Sequence, residues 1–247
     1  LSHAATALWF LGFPDQALKK ATDAMTLARE LSHPYSLAFA LACFARIHQY
    51  RRELGLAEES AEALISLSSE RGFERYIANG TLLRGWALAA QGKAEREISE
   101  TRQGLDTRSL IGLRRAFHLS LLADAYGKCG QVAQGLDVLA EAMDLIEKSG
   151  SRRWEPELYR LRGELLLKQG GDEAQVENDF LHVLEVARRQ EAKSLELRAA
   201  TSMARLWQGQ GKRDEARELL SGIYGWFTEG FDTADLQDAK ALLEKLS

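Results

Sequence analysis

The side chains best suited to binding chemistry in this chain are Asn79, Asp124, Lys128, Arg160, Arg198 and Arg205. Lysine and arginine supply charge-assisted donors, arginine in a planar fork that matches a carboxylate, while Asn and Asp add acceptors. Arg198 and Arg205 stand seven positions apart, which sets them two turns along one face of a helix. Such a set could clamp a peptide carboxylate or acidic side chains, or it could merely solvate an unused groove.

Catalytic constellations do not emerge from the same reading. The sequence has no glycine-rich phosphate loop, no HExxH, no CxxC and no nucleophile elbow. His3, His33, His48, His118 and His182 are scattered over different segments. The carboxylate pairs Glu58-Glu59 and Asp172-Glu173 read as first-turn residues favoured by the helix dipole. Arg51-Arg52, Arg114-Arg115, Arg152-Arg153 and Arg188-Arg189 read as solvated faces. The chain is therefore read as non-catalytic, and no cofactor or metal is expected.

Composition narrows the class further. The 247 residues are 45% hydrophobic and 28% charged with a formal net charge of -4, so no basic face argues for direct nucleic-acid binding. No apolar run reaches the length of a membrane helix and no secretory signal is visible, so a cytoplasmic location is expected. Cys43 and Cys129 lie far apart in helix-like segments and read as reduced thiols. The chain opens at Leu1 already in a helical pattern, which reads as a fragment of a longer protein.

The elements that must position the six polar residues are helices. Leu122 to Ala142, LADAYGKCGQVAQGLDVLAEA, sets small residues (Ala123, Gly135) where two helices would cross, with Tyr126 and Leu139 beside them and Gly130 at the turn. Turn glycines at Gly12, Gly55, Gly92, Gly130, Gly170 or Gly171, and Gly211 repeat at about 40 residues, a solenoid period. Spacing of small residue, aromatic, glycine and small residue selects the tetratricopeptide type with lengthened helices. All three prolines fall at expected helix starts. The return helix from Lys93 to about Thr107 is unusually polar and expected to pack poorly. Residues 223–247 leave the repeat: Tyr224, Trp226, Phe227 and Phe231 form an aromatic plug, and Asp232 or Thr233 caps a last amphipathic helix that would cover the solenoid end. The expectation is one all-α, right-handed superhelical solenoid over residues 1–247, with about six helix pairs and a C-terminal capping helix. In such a stack the first helices line the concave surface, and counting from the crossing positions places the six polar residues in that groove.

LWFLGFPDQAL at 8–18, HPYSLAFAL at 33–41, LRGWALAAQG at 83–92, ELYRLRGELLLKQG at 157–170, AKSLELRAATSMARLW at 192–207 and YGWFTEGFDTADLQDAKALLEKL at 224–246 carry a family likeness. Together they resemble the C-terminal tetratricopeptide region of bacterial multidomain ATPases of the signal-transduction (STAND) class, often fused to a class III adenylate/guanylate cyclase. The resemblance implies an ATPase or cyclase in a longer parent, with neither in this chain, and a repeat region that senses an inducer or partner. No catalytic or ligand residue transfers from it. The expected role is a sensor and protein-interaction module regulating that upstream enzyme, with a protein, a peptide or a small effector in the groove. The alternative is a passive scaffold or homo-oligomerisation module that associates through an open N-terminal face or the aromatic tail.

Overall fold

The structure, a computed structural model, describes residues 1–93, 102 and 113–247. Among these residues the chain forms twelve helices: α1 (Ser2–Phe10), α2 (Pro14–Glu30), α3 (Pro34–Arg51), α4 (Leu54–Arg71), α5 (Glu74–Ala90), α6 (Leu113–Lys128), α7 (Val132–Ser149), α8 (Glu155–Lys168), α9 (Glu173–Arg189), α10 (Lys193–Gly209), α11 (Arg213–Tyr224) and α12 (Ala234–Leu246). Apart from Lys93 and Arg102, the polar return helix expected up to Thr107 lies outside the described residues. Pro14, Pro34 and Pro156 each sit in a first helical turn, where the missing N–H removes no intrahelical bond.

Residues in the left-handed conformation mark the turns in two interleaved series. Gly12, Arg52, Gly92, Gly130, Gly170 and Gly211 follow the first helices of the pairs; Ser32, Gly72, Gly150 and Glu191 follow the return helices. The second turn therefore comes at Arg52, with φ 61°, and Gly55 lies inside α4 instead of forming the turn expected there. The backbone bonds match those at the glycine turns, since Arg52 N donates to Gln49 O at 3.1 Å and Glu53 N to His48 O at 2.9 Å. A left-handed non-glycine residue costs about 1–2 kcal/mol. Ion pairs from Arg52 to Asp235 and Asp238, and from Glu53 to Arg51, oppose that cost.

Each helix packs on its successor, and the first helices also pack on one another: α1 on α3, α3 on α5, α5 on α6, α6 on α8 and α8 on α10. Their sequences explain why. In α3 the run Ala38, Ala40, Ala42, Cys43 and Ala45 is buried on several faces, and α10 buries Ala199, Ala200, Met203 and Ala204 in the same way. Helices hemmed in on every side need small residues all round rather than one apolar stripe. The return helices have such a stripe, as in Ala17, Ala21, Ala24 and Ala28 of α2. At the crossing of α6 and α7 a β-carbon on Gly135 would stand 3.2 Å from the Ala123 carbonyl, so glycine permits that approach.

The two ends of the chain meet. Helix α10 touches α1, and Ser194 Oγ donates to the Trp9 carbonyl at 2.5 Å, so the inner helices close into a ring. Trp9 is consequently buried, stacked 4.3 Å from Tyr50, and not part of an open N-terminal face. The loop before α12 reinforces the closure. Helix α2 begins after Phe13, which offers no capping side chain, and Glu229 supplies the cap from the far end of the chain. Its Oε1 accepts from the backbone N–H groups of Asp15 and Gln16, both at 3.0 Å, where the helix dipole favours a carboxylate. Asp15 answers by accepting from Gly230 N at 2.9 Å. Arg51, read from sequence as a solvated residue, is buried; it pairs with Asp15 at 2.8 Å, Glu53 at 2.7 Å and Asp232 at 3.1 Å. Phe227 is buried in this junction, while Trp226 stays partly exposed against Gly12 and Phe13.

Gly230 has φ +75°, and a β-carbon there would come 2.1 Å from Pro14 Cγ. Gly230→Ala is expected to lower stability by about 1–3 kcal/mol in urea unfolding through strain and overpacking. Gly209→Ala, with nothing within 4 Å of the added carbon, should stay within about 1 kcal/mol of the parent.

Candidate binding cavity

The closed ring surrounds a core with two unlike halves. One half is filled by aromatic rings: Trp9 and Phe10 from α1, Tyr50 from α3, Phe117 from α6 and Trp154 just before α8. Phe117 and Trp154 lie 4.7 Å apart, and the Arg198 guanidinium lies 4.9 Å from the Trp9 ring. Burial pushes the Tyr50 hydroxyl up to about 12, so it remains a neutral phenol at physiological pH.

The other half is a polar cavity of about 160 Å³. Five cations line it: Arg52 after α3, Lys128 from α6, Arg160 from α8, and Arg198 and Arg205 from α10. Five carboxylates face them: Asp124, Glu157, Glu164, Asp235 and Asp238. Gln49, Trp86, Thr201 and Ser202 complete the wall, and Gln49, Asp124, Glu157 and Arg198 also border the aromatic half.

The charges are paired chiefly in two ways, with Arg198 also 3.4 Å from Glu157 across helices. Lys128 binds Asp124 one turn before it, and Arg160 binds Glu157 at 2.7 Å and Glu164 at 2.6 Å along its own helix. These are helical i,i+3 and i,i+4 pairs. By contrast, α12 supplies counter-ions from outside. Asp235 pairs with Arg198 at 2.7 Å and Arg52 at 3.3 Å, while Asp238 pairs with Arg52 at 2.7 Å and Arg205 at 3.5 Å. Arg198 also reaches the Tyr50 carbonyl at 2.7 Å, which ties α10 to α3 across the ring.

Electrostatics favour the charged forms of Asp124, Glu157 and Arg160. Burial alone would raise the Asp124 carboxyl, but Lys128, the Trp86 indole N–H at 2.7 Å and Arg160 hold it at about 2. Glu157 is likewise lowered despite burial, chiefly by Arg160 and Arg198. Burial opposes the Arg160 charge, yet Glu157 and Glu164 raise its affinity for the proton well above the ordinary value. Asp124, Glu157 and Arg160 are thus held in their charged forms within an array of five cations and five carboxylates.

Of the six polar residues singled out by sequence, Asp124, Lys128, Arg160, Arg198 and Arg205 converge on this cavity. Asn79 does not: it is buried in α5 and lines no part of the cavity, whereas Trp86, two turns further along the same helix, does. Sequence reasoning missed Gln49, Arg52, Trp86 and four of the five carboxylates. Glu157 and Glu164 carry a legible signal, since they flank Arg160 at helical spacing. Arg52, Asp235 and Asp238 do not, because they come together only when the ring closes.

Comparison with known proteins places the fold. No protein-family model matches the chain. A crystal structure of nearly identical TPR-like repeats from Podosopora anserina superposes with a TM-score of 0.51 at 18% identity, covering 86% of this chain and 97% of that one. A point-substituted form of the same repeats gives 0.54 at 18% identity, covering 78% and 95%. The fold is therefore a tetratricopeptide-like stack of helix pairs. An uncharacterized protein of Rhizobium meliloti (strain 1021) is 24% identical over 208 residues, which is 83% of this chain. The chain spans only 20% of that curated relative's length. No described helix is long and apolar enough to cross a membrane.

The Asp124 carboxyl gives the site a pH signature. A carboxylate with a lowered folded-state pKa adds stability that is present above its unfolded value of about 3.9 and lost as pH falls toward about 2. Asp124→Asn should therefore lower stability at pH 7 by no more than about 2 kcal/mol. Urea titrations repeated at decreasing pH should show the gap to the parent narrowing below about pH 4.

Proposed function

We propose that the chain is a non-catalytic interaction and sensing module whose ligand enters the polar cavity of the ring. The observation that supports this best is the convergence of Asp124, Lys128, Arg160, Arg198 and Arg205, from three separate first helices, on one cavity. A stack held only by its core has no need of ten charges around an internal space, and burying charges is costly unless they are paired. The ligand is a protein segment, a peptide or a small effector, and its arrival biases the ring between closed and opened forms. Within a longer protein that bias would be passed to a neighbouring domain, and the family resemblance makes an ATPase or nucleotide cyclase the reading to test first.

The rims offer substitutions that spare the core, because Lys128 and Arg205 are partly exposed. In the full-length protein, Lys128→Ala combined with Arg205→Ala is expected to uncouple enzymatic output from its stimulus, with unfolding shifted by only about 0–2 kcal/mol. An unchanged response in that double variant would remove the cavity from the mechanism. Light scattering over a concentration series addresses the scaffold reading: a dimer that dissociates on Trp226→Ala would favour it, and a monomer at all concentrations would oppose it.

A further inference from the structure

The two Asp238 contacts differ from the rest of the array in exposure. Asp235 and Arg198 are both largely buried, so separating them would leave each charge desolvated and unmatched. Asp238 is over a third exposed, and its partners Arg52 and Arg205 are 43% and 51% exposed. Arg205 meets Asp238 only at 3.5 Å, so most of its five donors remain uncommitted among the described residues. Such exposed pairs contribute about 0–1 kcal/mol, little enough for another carboxylate to displace them. The apolar face of α12 does not depend on Asp238, because Leu236, Ala239, Leu242 and Leu246 hold the helix in place.

A second observation lies deeper in the same cavity. The Gln49 side chain lines it and is more than nine-tenths buried, yet its Oε1 has no hydrogen-bond partner among the described residues. A buried acceptor without a donor costs about 1–3 kcal/mol, which a ligand donor would recover.

From these we infer that Asp238 is a built-in occupant of an anion site formed by Arg52 and Arg205, and that the ligand is a small organic acid whose carboxylate replaces it while an N–H or O–H donor reaches Gln49. The inference rests on the cavity being the ligand site and adds the chemistry that site selects. Charge balance requires an exchange: the incoming carboxylate takes the place of the Asp238 carboxylate, which turns outward to water. Asp235 keeps Arg198, so the ring stays closed around the ligand.

L-glutamate and glutarate are suitable probes, since both carry carboxylates and only the first carries an ammonium donor. Calorimetric titration of the intact chain is expected to show Asp238→Asn binding L-glutamate about tenfold more tightly than the parent. Arg205→Ala in the Asp238→Asn background should abolish that gain. Gln49→Leu should weaken L-glutamate and leave glutarate unaffected. Equal affinity of the parent and Asp238→Asn, absence of binding to both, or a gain that survives Arg205→Ala would each overturn the inference. A macromolecular partner that needs Lys128 and Arg205 but competes with neither acid would overturn it too, while leaving the interaction reading standing.

Discussion

The structure depends on one helix start that has no cap of its own. Helix α2 begins at Pro14 behind Phe13, and the carboxylate that satisfies its first free N–H groups belongs to Glu229. Because the cap comes from the opposite end of the chain, making it closes the ring. The buried Arg51 guanidinium adds the same constraint in another form, since its partners Asp15 and Asp232 come from the two ends that must meet. A buried charge deprived of a partner is more damaging than the pair is stabilising. The junction therefore specifies closure more than it deepens the energy well.

Closure changes what the inner surface can be. In an open stack the first helices present a long concave groove. Here the groove is cut short, with aromatic rings filling one half and a small charged cavity left in the other. Every cation facing that cavity already holds a carboxylate, so attraction between net charges cannot be what recruits a ligand. Binding has to be an exchange of partners, and exchange favours the most exposed and least well-matched pair. That logic separates the helix-internal pairs around Lys128 and Arg160, which are part of the wall, from the contacts that α12 brings from outside.

Much of this architecture is legible in the sequence because it is local. Helical periods, proline starts and glycine turns depend on residues a few positions apart, and they mark most helix pairs. The second turn is misread at Gly55 for the opposite reason. Arg52 adopts a left-handed conformation with Asp235 and Asp238 engaging its side chain, and neither is visible from the neighbouring residues. The cavity divides along the same line. Counting from helix crossings brings five of the six polar residues together, since crossing geometry repeats from pair to pair. It fails at Asn79, which the packing of α5 buries, and it has no access to groups that closure delivers.

The position of α12 gives the ring its mechanical asymmetry. Its first two turns carry Asp235 and Asp238 into the cavity, and the residues just before it, Glu229 to Asp232, grip α2 and Arg51. One short segment thus senses the contents of the cavity and holds the two ends of the chain together. A ligand affects the closure only through the difference in free energy it makes between the closed and opened forms. Displacing Asp238 alone leaves the Asp235–Arg198 pair and the Glu229 cap intact, and so favours the closed form. A bulkier occupant that pushed Asp235 away from Arg198 would load the junction directly. The same cavity can therefore respond in opposite directions to ligands of different size, with the Arg198–Asp235 pair as the dividing point.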